Sequence, residues 1–308
     1  MPHSGSDPKV TSRSPPIANY KAFSAGLGLP RCNRRKTLTY FSLVAISWTL
    51  AVAASVCCTV IRFNSTQVTS VWDQNYLHLT VFTMDSIVGT IYWIDLFLRQ
   101  LLCLGLALVS PDPTFMDAIV STGGYLITFN LLQIGAVILF VHSYFVGAEV
   151  LLVVNFLNVS ALYFTHNHYP LLIHSSLVSG PLSWTFFAIY WNGFCIPPQS
   201  DLGHIIGSFL LWGMLGYGLL FAIIYEDFTM SLFLSFLAAS VGVYHARARS
   251  DLQRRIPPFV IAALLLSVAV VINFSKWTKK RKCKRVSETD SRKEEKEEIP
   301  KPELEGSA

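Results

Sequence analysis

Charge is what this sequence has least of. Only 14% of its 308 residues are Asp, Glu, Lys or Arg, against about a quarter in soluble globular domains. The deficit is uneven. Charges gather in residues 1–37, 247–255 and 276–305, and long apolar stretches run between them. That distribution excludes a soluble globular domain and is the composition of a polytopic membrane protein. Cysteine is also scarce in any useful arrangement. The six cysteines (Cys32, Cys57, Cys58, Cys103, Cys195, Cys283) contain no CxxC spacing, so neither a redox motif nor a disulfide framework follows. Four of them lie in apolar runs, where cysteine behaves as a small hydrophobe. Cys32 and Cys283 sit beside spans and are candidates for palmitoylation.

Catalytic signatures are absent as well. The chain has no glycine-rich phosphate loop, no GxSxG and no pattern of a catalytic triad. It has no histidine-rich box and no histidines paired at mid-membrane depth, so no cofactor is expected. The net charge of +5 comes largely from "KWTKKRKCKR" (276–285), seven basic residues in ten directly after an apolar run. Such a cluster holds a helix end at an anionic lipid surface, at about 1 kcal/mol per Lys or Arg. It is no signature of nucleic-acid binding.

What is present is a series of apolar runs of spanning length. About 20 residues cross a hydrocarbon core, and eight such runs fall near 38–61, 86–109, 123–144, 148–165, 171–196, 204–225, 228–246 and 257–274. The expected fold is all-α, a polytopic transmembrane bundle of about eight spans covering 38–275. Residues 1–37 are basic and rich in Pro and Ser, and 276–308 are polybasic and then rich in Glu and Lys. Both are expected to be disordered cytosolic tails. Segment 1–37 has the charge of a transit peptide, but its five prolines oppose the helix such a peptide needs. The first span is expected to serve as the insertion signal.

Orientation follows from Lys and Arg near span ends. Arg31, Arg34, Arg35 and Lys36, with the seven basic residues of 276–285, outweigh Arg62, Arg247, Arg249, Arg254 and Arg255. Both termini should therefore be cytosolic. The sequon at Asn64 then falls on the lumenal side as a candidate glycosylation site, and an endomembrane location (ER, Golgi or vacuole) follows.

Helices in lipid associate through small residues and polar contacts. Ser47, Ala51 and Ser55 form one such stripe; Gly203 and Gly207, and Ala238, Gly242 and Ala246, form others. The third and fourth spans are antiparallel neighbours. Counting outward from residue 146 pairs Gln133 with Asn158, and His142 with Glu149, as interhelical hydrogen bonds.

Three polar groupings stand out. Asp95 and Arg99 sit mid-span at i,i+4, where they share a face and neutralise each other. Asp227 is placed to cap the seventh span, while Glu226 beside it has no such explanation. "THNHYPLLIH" carries His166, His168 and His174 between two spans. With Glu226 on the same side, these histidines are candidate ligands for zinc or another divalent metal; a polar hinge is the plainer reading.

The stretches "DSIVGTIYWIDLFLRQ", "LLVVNFLNVSALYF", "SGPLSWTFFAIYWNG" and "WGMLGYGLLFAIIYEDFTMSLFLSFLAASVGV" resemble a family of fungal multi-pass membrane proteins defined only as a domain of unknown function. The most specific elements are Pro181, Leu182 and Trp184, then Trp191, Asn192 and Gly193, and Asp227 with Thr229 and Met230. The resemblance covers about 38–275. It implies membrane embedding and a fungal source, and brings no catalytic residue. The leading functional reading is a non-enzymatic membrane component, a scaffold or accessory subunit with membrane-protein partners. The alternatives are a small-solute or ion transporter using Asp95 and Arg99, and a metal-dependent membrane enzyme using His166, His168 and His174.

Overall fold

The computed structural model describes residues 34–60, 69–110, 114–166, 169–196 and 201–297. Among them it has nine helices: α1 Arg34–Val60, α2 Val71–Leu77, α3 Ser86–Val109, α4 Thr114–Val141, α5 Phe145–Thr165, α6 Leu171–Gly193, α7 Asp201–Ile224, α8 Phe228–Arg247 and α9 Leu252–Glu297. No strand occurs among the described residues. All but α2 are long and apolar enough to cross a bilayer. The architecture is the expected all-α bundle with eight candidate spans, compatible with a multi-pass membrane protein.

The spans alternate in direction. Arg247 at the end of α8 bonds Asp85 at the start of α3, and His245 reaches the carbonyl of Val81. At the opposite end, α6 begins, α8 begins and α9 leaves its apolar stretch. The first and last helices therefore enter and leave on one side. Three short turns reverse the chain with a non-glycine residue in the left-handed region: Ser143, Glu226 and Arg249.

α6 is the hub. Of its span, 89% is buried, against 28–67% for the other seven. It packs on α5, α8 and α3; α4 bridges α5 to α1, and α8 bridges to α7 and α9. Aromatic rings fill the junctions. Trp184 of α6 meets Trp93 of α3 edge-on at 5.0 Å and Trp191 at 5.9 Å. A π-helical turn, Ser175–Ser179, interrupts α6 near its start. Pro181 has no N–H to return to the preceding turn, and the hydroxyls of Ser175 and Ser176 both occupy the carbonyl of Leu172. Together these widen the turn.

The small-residue stripe of α1 is a buried face, and so are Ala238 and Gly242 of α8. Ser47, Ala51 and Ser55 point inward on α1, and Asn130 of α4 donates to Ser47 Oγ at 3.1 Å. Gly242 lets α8 approach α9, since a Cβ there would stand 3.0 Å from the Phe259 ring. Gly242→Leu should therefore cost about 1–3 kcal/mol through overpacking, read as a lowered midpoint in a denaturation titration of the purified protein in detergent.

Three features differ from expectation. The third span begins at Thr114, not near 123. α2 lies between the first two spans, opened by a capping box of Ser70 and Asp73. The backbone of 276–297 continues α9 as helix, where a tail without structure was expected. Extending an existing helix needs no new nucleus, and Lys, Arg and Glu are good helix formers.

Candidate functional site: a buried histidine–aspartate pair beside an interfacial cleft

The end where α5 turns into α6, and α7 into α8, carries the most concentrated polar chemistry. Asp227 caps α8. Its Oδ1 accepts from the N–H groups of Thr229 and Met230 at 2.9 and 3.3 Å, and from Thr229 Oγ1 at 2.6 Å. Its Oδ2 accepts from Ser179 Oγ at 2.7 Å, His174 Nε2 at 3.1 Å and Tyr163 Oη at 3.2 Å. One buried carboxylate thus ties α5, α6 and α8 together.

The π-helical turn of α6 makes this possible. Residues five apart stand about 140° apart around an α-helix. The wide turn brings His174 and Ser179 onto one face, and both reach Oδ2. Burial pushes the Asp227 carboxyl up. The hydrogen bond and charge of His174, then the hydroxyls of Thr229 and Ser179, outweigh burial and hold the carboxyl well below the usual carboxylate range. An ionised carboxylate only accepts, so Nε2 of His174 carries the proton. Nδ1 of His174 is buried with no partner among the described residues.

Beside the pair opens a cleft of about 420 Å³, lined among others by Tyr169, His174, Tyr225, Asn273, Lys276 and Trp277. Lys276 Nζ donates to the carbonyl of Glu226 at 2.6 Å, and the Glu226 side chain lies 3.9 Å from Lys279. Glu226 is held in the left-handed region, with φ 50°. Its place is that of a turn residue whose carbonyl meets α9. Glu226→Gly should leave stability unchanged or raise it by up to about 1 kcal/mol, because glycine adopts this φ freely; a thermal melt checks it.

The histidines separate. His174 joins Asp227. His166 bonds Thr165 Oγ1 through Nδ1 and stacks on Tyr169, and burial lowers the pKa of its imidazole. His168 lies outside the described residues, as do Asn64 and Cys32 and the side chain of Cys283. Among the described residues no three His, Cys, Asp or Glu side chains gather to hold a metal. His174 commits Nε2 to Asp227.

Asp95 and Arg99 do pair, with Nε 2.7 Å from Oδ2. They stand on the outer wall of α3, still 45% and 37% exposed, and Arg99 lies 5.6 Å from the centre of the Phe233 ring. Exposed Ile91, Leu98 and Leu102 flank them. Neither residue lines the cleft beside His174.

The two interhelical pairs expected between α4 and α5 are not made. Asn158 Nδ2 donates to the carbonyl of Tyr125, and Asn155 Nδ2 to that of Phe129. These contacts are symmetric about residue 142, not 146, because α4 ends at Val141 and α5 already begins at Phe145. Four residues are about 6 Å of helix, enough to dissolve every pair counted from the wrong centre. Gln133 instead turns toward Trp184 and Asn192 across a small apolar cavity. His142 is exposed at the turn, and Glu149 accepts from Asn192 Nδ2 at 2.8 Å. Beyond the α7–α8 cap, sequence reasoning missed the ties of His174, Ser179 and Tyr163 to Asp227. It also missed Asn75, which binds Met84 and Trp191 at the opposite end. These partners are up to 116 residues apart in the chain, and no local spacing announces them.

No curated protein and no solved structure matches this chain. Residues 204–300, which carry all but the start of α7, all of α8 and α9, and the Asp227 cap, match the family model described as a fungal protein of unknown function (DUF1774).

Proposed function

We propose that the protein is a non-enzymatic component of a membrane assembly. In this reading it is an accessory subunit that receives a polar-bearing membrane helix of a partner on the outer wall around Asp95 and Arg99. One observation carries the reading: an ion pair near the middle of a span is turned outward and is about 40% exposed. A charge at mid-membrane depth costs about 2.5–3.5 kcal/mol on insertion scales. Pairing reduces that cost, and a polar side chain on a neighbouring helix would reduce it further. The interior supports the same reading. Its polar groups are largely spent on one another, as in Asp227 with His174 and Asn75 with Trp191, so they serve cohesion. The Lys and Arg distribution supports cytosolic termini.

The test removes both charges at once. Asp95→Leu combined with Arg99→Leu should fold with an unchanged or higher melting midpoint, because no unpaired charge remains. Extracted from native membranes in mild detergent, the wild type should migrate on a native gel as a larger assembly than its 34.4 kDa and micelle allow. The double variant should migrate as a single chain in its micelle. If both migrate alike, the wall is not a docking surface.

A further inference from the structure

We infer that the helix received on the wall of Asp95 and Arg99 is α3 of a second copy of this chain, in a symmetric pair closed by exchanged Asp–Arg contacts. This identity for the occupant rests on the docking reading above and goes one step further. Asp95 and Arg99 are the tenth and fourteenth of the 24 residues of α3. Each therefore stands about 14–15 Å of helix from the nearer end. That is too deep for either head to reach water, and half-exposed charges at such depth are met by protein groups.

Arg99 spends Nε on Oδ2 of Asp95 at 2.7 Å, and neither side chain makes another hydrogen bond among the described residues. The terminal nitrogens of the guanidinium and Oδ1 of the carboxylate remain open. The wall thus offers donors on one turn and an acceptor on the next. A partner helix with a lone charge would meet one of these and leave the other. A second α3 meets both. Around a two-fold axis along the membrane normal, equivalent residues share one depth. The step from Asp95 of one copy to Arg99 of the other is then the same four residues, about 6 Å of rise, that one chain already spans. The four charges form a ring in which every neighbour is of opposite sign, and each guanidinium fork serves two carboxylates. The surroundings fit a helix. Ile91, Leu98 and Leu102 of α3 stand outward beside Leu232 and Phe236 of α8, and Phe236 lies against the Tyr92 ring at 6.2 Å. In lipid such apolar flanks fill a contact without selecting it, so the polar ring selects it.

The test co-expresses two full-length copies with different tags in one membrane and captures the first tag in mild detergent. The second tag should come with it. Asp95→Leu combined with Arg99→Leu in both copies should lower that co-capture by about tenfold or more, the loss of two reciprocal polar contacts. Its melting midpoint should be unchanged or higher. Asp95→Arg in one copy and Arg99→Asp in the other put two like charges on each chain. Neither should capture itself, and the two together should capture each other. The leucine variant, which carries no unpaired charge, keeps the test decisive if those chains do not insert. Three results overturn the inference. Copies that fail to co-capture while the wild type still migrates as a larger assembly identify a different chain as the occupant and leave the docking reading standing. Co-capture that persists in the leucine variant places the contact on another face. Loss of both the co-capture and the larger assembly in the wild type removes the docking reading as well.

Discussion

Asp227→Ala should destabilise the bundle by about 3–5 kcal/mol, the cost of removing one partner from a buried, charge-assisted network. The size follows from what the substitution strands. His174 Nε2, Ser179 Oγ, Tyr163 Oη and Thr229 Oγ1 lose their acceptor, and α8 loses its cap. Because these donors come from α5, α6 and α8, the loss falls on the packing of three helices at one end. The midpoint of unfolding in mixed detergent micelles measures it. Thr229→Val, which removes only one hydroxyl donor, should cost about 1 kcal/mol. Equal losses in the two variants would mean that Asp227 acts only as a local cap.

The pH dependence has a definite sign. The Asp227 carboxyl titrates below its ordinary value of 3.8 in the folded protein. A depressed carboxylate contributes stability that is fully present above its unfolded value and is lost as pH falls through its folded value. Stability due to this group should therefore be flat above about pH 5 and decline only in stronger acid. In Asp227→Ala that acid-side decline should shrink.

Asn75→Leu should have an effect of similar size at the other end, roughly 3–5 kcal/mol, because three buried groups lose partners at about 1–3 kcal/mol each. Asn75 Nδ2 donates to the carbonyl of Met84 at 2.9 Å, and its Oδ1 accepts from Met84 N at 3.2 Å and from Trp191 Nε1 at 2.9 Å. One side chain thus pins α2, the loop before α3 and the end of α6. Leucine is close in volume, so packing alone does not explain a loss. The prediction is checked in the same unfolding titration, together with Trp191→Phe. The two single variants and the double should be strongly non-additive, since both break one contact.

The spans were legible because lipid imposes them. A backbone with no water to bond must be helical over the thickness of the bilayer, and runs of that length stand out from their flanks. Asp95 and Arg99 were legible for an equally local reason, the four-residue spacing on one helix. Register was not. Pairing Gln133 with Asn158 required the centre of a turn to within one residue, and apolar runs do not mark their ends so sharply. The short helix α2 did carry a signal, Ser70 followed three residues later by Asp73, but its seven residues are too few to compete with the spans. The union of His174 with Asp227 lies between these cases. Asp227 could be placed as a cap from its position before Thr229 and Met230. Its second set of donors depends on a π-helical turn that no periodicity in the sequence encodes, and on helix neighbours 48 to 64 residues away.

The account rests on eight spans that alternate across a membrane and bring the His174–Asp227 end to one side. Single-cysteine labelling of the full chain in sealed membranes, on a background free of the native cysteines, tests this most directly. Glu226→Cys and Lys276→Cys should react with an impermeant reagent from one side only. Tyr144→Cys and Ser250→Cys should react only from the other. Labelling of Glu226→Cys and Ser250→Cys from the same side would contradict the alternation of α8, and with it the fold on which every other inference stands.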